Sequence, residues 1–219
     1  MNLDELYRKE LPDPNLADPS GLLFLSEGFS PELSIAACMK GIFPWTDDGT
    51  VVGWYSPVVR SVITIETAHV PRRVLRYLRT SNYQIKTDHR PKEVIYMCSQ
   101  IPRSDSEASW ITSKFIEHYS NLVDLGYVSS VEVWQDRLLV GGVFGLRIRD
   151  VFFGESMFSL VDSASSLAMS YLIEQVQAKE LSLIDCQVSS AHLHRFGAVD
   201  IPRREFLKVL KTIFDIRLA

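Results

Sequence analysis

The chain has little of what marks the more specialised classes of protein. No apolar run in its 219 residues approaches the roughly 18 needed to cross a bilayer, so no membrane association is expected. Its 3 cysteines (Cys38, Cys98 and Cys186) are odd in number and far apart, with no CxxC pair and no zinc-ligand spacing. That argues against a disulfide framework and fits a reducing, cytoplasmic setting. The opening Met1-Asn-Leu-Asp-Glu-Leu6 is acidic and carries no apolar segment of the secretory kind. Neither GxGxxG nor GxxxxGK[ST] occurs, which removes dinucleotide-binding and P-loop chemistry. There is no GxSxG elbow and no HExxH pair among the histidines, His69, His89, His118, His192 and His194. No internal repeat or low-complexity stretch interrupts the sequence.

What remains is an ordinary globular composition, 46% hydrophobic and 23% charged, on a chain long enough for one or two domains. The net charge of −4 argues against nonspecific nucleic-acid binding, but the charge is unevenly spread. Between Pro71 and Lys92 stand Arg72, Arg73, Arg76, Arg79, Lys86, Arg90 and Lys92, with Asp88 the single acid. Such a stretch either steers a phosphate backbone or forms a solvated helix face.

Residues 1–60 read as a small, turn-rich N-terminal domain, and residues 61–219 as a larger one. Pro12, Pro14 and Pro19 keep the start extended. Ser30-Pro31 opens a helix that Gly41 ends. Phe43-Pro44-Trp45 and Trp54-Tyr-Ser-Pro57 set large aromatics beside prolines, either as core plugs or as stacking platforms. Helices are expected near 71–80, 111–124 and 203–214, with a short one closed by Gly197. Three strands of a meander are expected at 130–134, 138–144 and 146–153, with Arg149-Asp150 a turn or bulge inside the last. Gly141 and Gly142 within the second imply tight packing or the approach of a ligand.

The most informative segment follows. Strand chemistry to Phe153, a helical stripe of Ala164, Leu167, Ala168, Tyr171, Leu172 and Val176, and strand chemistry again from Leu181 to Val188 predict a βαβ unit. Asp162 or Ser163 suits the helix N-cap. Glu155 and Asp185 then fall at or just past the ends of parallel strands, where open α/β sheets bind ligands. Each alone is commonly a cap or turn residue. Together, beside Gln187, they suggest a site able to orient an amine, take its proton or stabilise a polar transition state. Cys186 alternates to the opposite face and reads as packing. His192 is expected to face solvent from a helix.

Several motifs, in order along the chain, resemble one family. Gly41-Ile-Phe-Pro-Trp45, Trp54-Tyr-Ser-Pro57, Ser109-Trp-Ile111, Ser130-Val-Glu-Val-Trp134, Phe153-Gly-Glu-Ser-Met-Phe-Ser159, Leu183-Ile-Asp-Cys-Gln187 and Ile201-Pro-Arg203 are similar to those of leucyl/phenylalanyl-tRNA–protein transferases. The resemblance runs from about residue 12 to residue 210. It implies an α+β or α/β fold in which the larger domain is a GNAT-like acyltransferase with a mixed sheet. It implies transfer of Leu or Phe, and by the same pocket Met, from the 3′ end of charged tRNA to the N-terminal amine of an acceptor protein. The acceptor would start with Arg or Lys and the product would be marked for degradation. No metal or coenzyme is implied, and a monomer is expected.

By the same resemblance Asp185 is the base or electrostatic group, Gln187 positions the amine, and Glu155 fixes the aminoacyl amine or braces Gln187. Val143, Met157, Leu172, Val176 and Ile184 occupy positions like those lining the aminoacyl pocket. Trp45 and Trp110 match an aromatic clamp on the terminal adenine, and Arg72, Arg73, Arg76 and Arg79 would meet the acceptor-stem backbone. The chain departs from the family pattern at Ser26-Glu-Gly-Phe-Ser30, at Val123 and Ser129, and at Ser190, which stands where asparagine is frequent. Two other readings compete. One is a coenzyme A-dependent acyltransferase, against which stands the missing Arg/Gln-x-x-Gly-x-Gly/Ala turn. The other is a noncatalytic tRNA-binding adaptor, against which stands retention of Glu155, Asp185 and Gln187.

Overall fold

The computed structural model describes residues 1–45, 50–80, 82–101 and 110–215. Its elements, in chain order, are α1 (Leu3–Arg8), β1 (Leu22–Glu27), α2 (Pro31–Met39), β2 (Phe43–Trp45), β3 (Val51–Tyr55), β4 (Val59–Ile63), α3 (Arg72–Thr80), β5 (Gln84–Thr87) and α4 (Pro91–Gln100). There follow α5 (Ser113–Asp124), β6 (Val128–Gln135), β7 (Leu138–Ile148), β8 (Val151–Ser159), α6 (Ala164–Gln177), β9 (Leu183–Gln187), α7 (Ala191–His194), β10 (Val199–Pro202) and α8 (Arg203–Asp215). Among the described residues no helix is long and apolar enough to cross a membrane.

The chain divides into two compact units. The first holds Met1–Arg60 together with Trp110–His118 and Asp200–Ala219, and the second holds Ser61–Ser109 and Tyr119–Val199. The last helix, which the sequence assigns to the larger domain, falls in the first unit. The reason is visible in what α8 packs against. Arg60, only 1% exposed, lies with its guanidinium 4.6 Å from the Phe43 ring and 4.8 Å from the Phe206 ring of α8. A buried cation held between two aromatic faces ties the segments together in a way no local pattern announces.

In the first unit β1, β3 and β2 form an antiparallel sheet in that order. Ser30 caps α2 by accepting the Leu33 N–H at 3.3 Å, with Pro31 at the first helical position, as the sequence implies. Trp54 is a core plug: fully buried, it stacks on Phe24 at 5.7 Å and donates its Nε1–H to Ser26 Oγ at 2.8 Å. His118 is also enclosed here, hydrogen-bonded to Ser34 Oγ at 2.8 Å and stacked on Phe29 at 4.7 Å.

Burial holds the His118 pKa down at about 4, against a small opposing pull from Glu32. Above pH ~6.5 the ring is neutral in folded and unfolded chains alike, and its contribution to stability is fully present. As pH falls below that, only the unfolded chain takes up the proton, and the contribution is lost progressively until the folded-state pKa near 4 is passed. Between pH 7 and pH 5 the loss amounts to about 2 kcal/mol. Urea unfolding at the two pH values should show it, and His118→Gln should flatten that part of the profile. An equal pH slope in wild type and variant would contradict the assignment.

The second unit is built on a mixed sheet in which strands run β4-β9-β8-β7-β6-β5. All its pairings are antiparallel except β8 with β9, the expected βαβ pair, whose register is Val151↔Leu183, Phe152↔Ile184 and Phe153↔Asp185. The meander is present, with different breaks. β7 continues unbroken to Ile148, and the turn is Arg149–Asp150, with Arg149 at φ 57°. The earlier hairpin turns at Asp136 and Arg137, both left-handed (φ 48° and 70°), as a tight two-residue connection requires. Gly145 imitates a strand end because it marks a bulge, and a Cβ there would collide with the Phe153 carbonyl. The open question at Gly141 resolves toward packing, since Ala164 of α6 occupies the space a Cβ would need.

The main core lies between the sheet and α6, and includes Val131, Val133, Val143, Phe152, Leu167, Leu172, Ile173, Val176 and Ile184. Neither Asp162 nor Ser163 caps α6 through its side chain. Instead Ser159, at the end of β8, accepts the Ser165 N–H at 3.0 Å. Val74, Tyr77 and Leu78 turn α3 toward the same core.

Candidate active site

Glu155 lies within β8, not at its end as the sequence suggests, but just past the last residue that β8 pairs with β9. Where those two parallel strands cease to pair, their side chains can converge on a space between them. Asp185 is fully buried, while Gln187 and Glu155 are 9% and 8% exposed.

The three groups are linked. Asp185 Oδ1 accepts the Gln187 backbone N–H at 2.9 Å, an i→i+2 bond of the kind that stabilises local turns. It accompanies a left-handed backbone at Gln187 (φ 61°), a conformation that is uncommon for a residue with a side chain and that marks functional sites. Gln187 Nε2 then donates to Glu155 Oε2 at 3.3 Å. A carboxylate oxygen accepts, so the amide's NH2 end must face Glu155 and its Oε1 is left as the acceptor end. The chain of bonds fixes which way the amide points.

These groups line a cavity of about 340 Å³, at the small end of the range for small-molecule sites. Its apolar wall includes Cys98, Ile101, Val143, Phe152, Met157, Met169 and Ile184, and its polar side adds Ser190 and His192. Of the aliphatic positions singled out in the sequence, Val143, Met157 and Ile184 line it. Leu172 and Val176 do not: they are 1% and 0% exposed, packed within the core cluster. Helical periodicity marks a buried face but not which part of that face borders empty space. Phe152, Met169, Cys98 and Ile101 carry no mark of the cavity in the sequence for the same reason, and nothing local says that α4 brings Cys98 to this wall. Cys186 packs with the core and also borders the cavity. His192 does not point to solvent as expected; it is partly buried on the cavity wall.

In the first unit, Trp45 and Trp110 are neighbours, with ring centroids 6.1 Å apart and planes inclined at 54°. That is a tilted pair, not a parallel slot. Trp110 also rests edge-on against Phe115 at 4.9 Å, while Trp45, 43% exposed, meets Tyr55 at 6.2 Å. Ser109 of the neighbouring motif lies outside the described residues. In the second unit, Arg72, Arg73, Arg76 and Arg79 are all exposed on α3. The remaining basic residues of the stretch are engaged otherwise. Lys86 and Arg90 lie 5.2 and 5.3 Å from the Trp134 ring, and Lys92 pairs with Asp124 at 2.7 Å.

An oriented amide and two carboxylates on the wall of a largely apolar cavity suit a transfer reaction. In such a reaction an amine is held against an acyl group with an apolar side chain. The comparisons with known proteins agree with that class. Residues 62–211 match the model of leucyl/phenylalanyl-tRNA protein transferase, and residues 28–58 match the model of its N-terminal domain. The chain belongs to the leucyl/phenylalanyl-tRNA–protein transferase family, a family of aminoacyltransferases. It is 44% identical over 206 residues to the family member from Cellvibrio japonicus, covering 93% of this chain and 87% of the relative. It is 43% identical over 200 residues to that of Nitrosospira multiformis, covering 91% and 86%. Among solved structures it is similar to a GCN5-related N-acetyltransferase from Kribbella flavida, at 11% identity and a TM-score of 0.42, over 79% of this chain and 61% of that one.

Proposed function

We propose that the chain transfers Leu, Phe or Met from the 3′ end of charged tRNA to the N-terminal amine of proteins that begin with Arg or Lys, marking them for degradation. The observation that carries this reading is the bonded series Glu155–Gln187–Asp185 on the wall of an apolar cavity. The aminoacyl side chain enters the cavity against Val143, Met157, Ile184, Met169 and Phe152. The neutral amine attacks the ester carbonyl carbon, the C–N bond forms, and the bond from that carbon to the ribose oxygen breaks. The amine's proton ends on the departing ribose hydroxyl. Gln187 Oε1 holds an amine N–H, Glu155 braces the amide, and the Asp185 charge favours the positive character the amine acquires in the transition state. The ester is already activated, so the step is mainly one of positioning.

An apolar pocket of this size favours Leu, Phe and Met over polar residues, while a single methylene changes binding by only about 1–3 kcal/mol. That fits acceptance of more than one amino acid. Trp45 stacks the terminal adenine beside Trp110, and the exposed arginines of α3 meet the RNA backbone without reading sequence. Trp45→Ala should raise KM for charged tRNA by about tenfold or more, since a stacked base contributes roughly 1–3 kcal/mol. The KM for the peptide should stay as it was; an unchanged tRNA KM would remove Trp45 from the RNA site.

The function is tested with a panel of tRNAs charged with labelled Leu, Phe, Met, Val or Ser and peptides varied at the first residue. Label should pass from the first three to peptides starting with Arg or Lys. Equal use of Ser, or transfer regardless of the first residue, would overturn the stated specificity.

A further inference from the structure

A second cavity, of about 460 Å³, lies in the same unit beside the first, and His192 lines both. Its chemistry is different. Two guanidinium groups border it, Arg73 from α3 and Arg195 after α7, with Asp162 the one carboxylate and Ser163 and Ser165 supplying hydroxyls. Neither arginine is ion-paired among the described residues. Arg195 Nη2 lies 2.7 Å from His192 Nδ1. A guanidinium can only donate, so His192 Nδ1 must be the acceptor and the neutral ring carries its proton on Nε2. Burial first, and the adjacent Arg195 charge second, hold the His192 pKa below the ordinary histidine value, which keeps the ring in that neutral form. His192 Nε2 is enclosed and has no protein partner among the described residues. An N–H donor therefore stands on the wall between an apolar cavity and a cationic one.

The proposed substrate has the same division. An aminoacylated RNA end carries an apolar side chain, an ester, a ribose and then a phosphate, with one sugar separating the ester from the anion. We propose that the Arg73–Arg195 cavity is a phosphate subsite that takes the 5′-phosphodiester of the terminal aminoacyl-nucleotide, with His192 Nε2–H donating to the intervening ribose. This rests on the transfer reaction proposed above. It gives His192 a positioning role, and it gives Arg195 two: a counter-ion for the phosphate and the group that sets the histidine tautomer. Charge-assisted bonds of this kind discriminate strongly against a ligand that lacks the anion.

The test uses two minimal donors, 3′-O-phenylalanyl-adenosine with and without a 5′-phosphate, and one acceptor peptide starting with Arg. Wild type should use the phosphorylated donor with a kcat/KM about tenfold or more above the other. In Arg195→Met the ratio of the two should fall toward one, and in Arg73→Gln, a change on an exposed helix face, it should fall in part. Equal use of both donors by wild type overturns the subsite while leaving the transfer reaction standing. So does a preference that survives both substitutions, or a change in the peptide KM in place of the donor ratio, which would assign the cavity to the acceptor. If wild type uses neither donor but does use charged tRNA, the Arg195→Met effect on the tRNA KM decides, and no change overturns the proposal. Failure with charged tRNA as well removes the transfer reaction, and the subsite with it.

Discussion

Replacing Asp185 by Asn is expected to lower kcat by about two to four orders of magnitude, the range typical of positioned acid–base groups. Asparagine keeps an Oδ1 that can accept the Gln187 N–H, so the turn and its left-handed residue can persist. What it removes is the charge. Asp185 is fully buried, and in an enclosed site a charge acts on a developing ammonium far more strongly than it would in water. The KM for charged tRNA should change little, because the proposed function assigns RNA affinity to Trp45, Trp110 and the exposed arginines of α3. Single-turnover transfer with enzyme in excess, alongside tRNA binding measured by filter retention, separates the two. A kcat within about twofold of wild type would show that Asp185 holds the loop and does nothing further.

Glu132→Ala should be the most destabilising single change outside the packed aliphatic core, by about 3–5 kcal/mol. Glu132 is fully buried in β6 and each of its oxygens is used. Oε1 accepts from Ser130 Oγ at 3.1 Å and from the Arg90 backbone N–H, and Oε2 accepts from Trp134 Nε1 at 3.0 Å. Truncation would leave the Ser130 and Trp134 donors unpaired in a closed space and the part-buried Arg90 N–H without its acceptor. Arg90 is the residue before α4, so Glu132 also sets where that helix begins. Since α4 brings Cys98, and the following Ile101, to the cavity wall, protein that remains folded should discriminate Leu from Phe less well. Urea unfolding measures the first effect and competition between the two charged tRNAs the second. A loss below about 1 kcal/mol would mean that water replaces the carboxylate without penalty.

Both results depend on features that the sequence exposes unevenly. The βαβ unit was legible because its helix stripe and its two strands differ in period, and the Ser30-Pro31 helix because caps are local chemistry. Local signals mislead at Gly145, where a bulge looks like a strand end, and at Arg149–Asp150, where the true hairpin turn looks like an interruption. Strand topology brings Glu155 and Asp185 to the wall of one cavity. The local pattern nonetheless suggests a strand end at Glu155, whereas β8 continues past the point where its pairing with β9 stops.

Other features were beyond local reading altogether. Leu172 and Val176 sit in the core and Met169 at the cavity, though all three share one helix, because the empty space is defined by neighbours from other elements. Arg60 is a charged residue in a strand, and only the arrival of Phe206 from far along the chain explains its burial. His192 sits on a four-residue helix too short to show a face, so its place between two cavities had no signature.

If an amine and an aminoacyl ester meet at Gln187, the label must pass to one defined amine. tRNA charged with labelled Leu is mixed with the protein and a lysine-containing peptide that begins with Arg, either free or acetylated at its N-terminus. The label is then located by fragmentation mass spectrometry. A new peptide bond is expected at the free N-terminal amine and none on the acetylated peptide. Label on lysine side chains of the acetylated peptide, or deacylation of the tRNA with no labelled peptide at all, would contradict it.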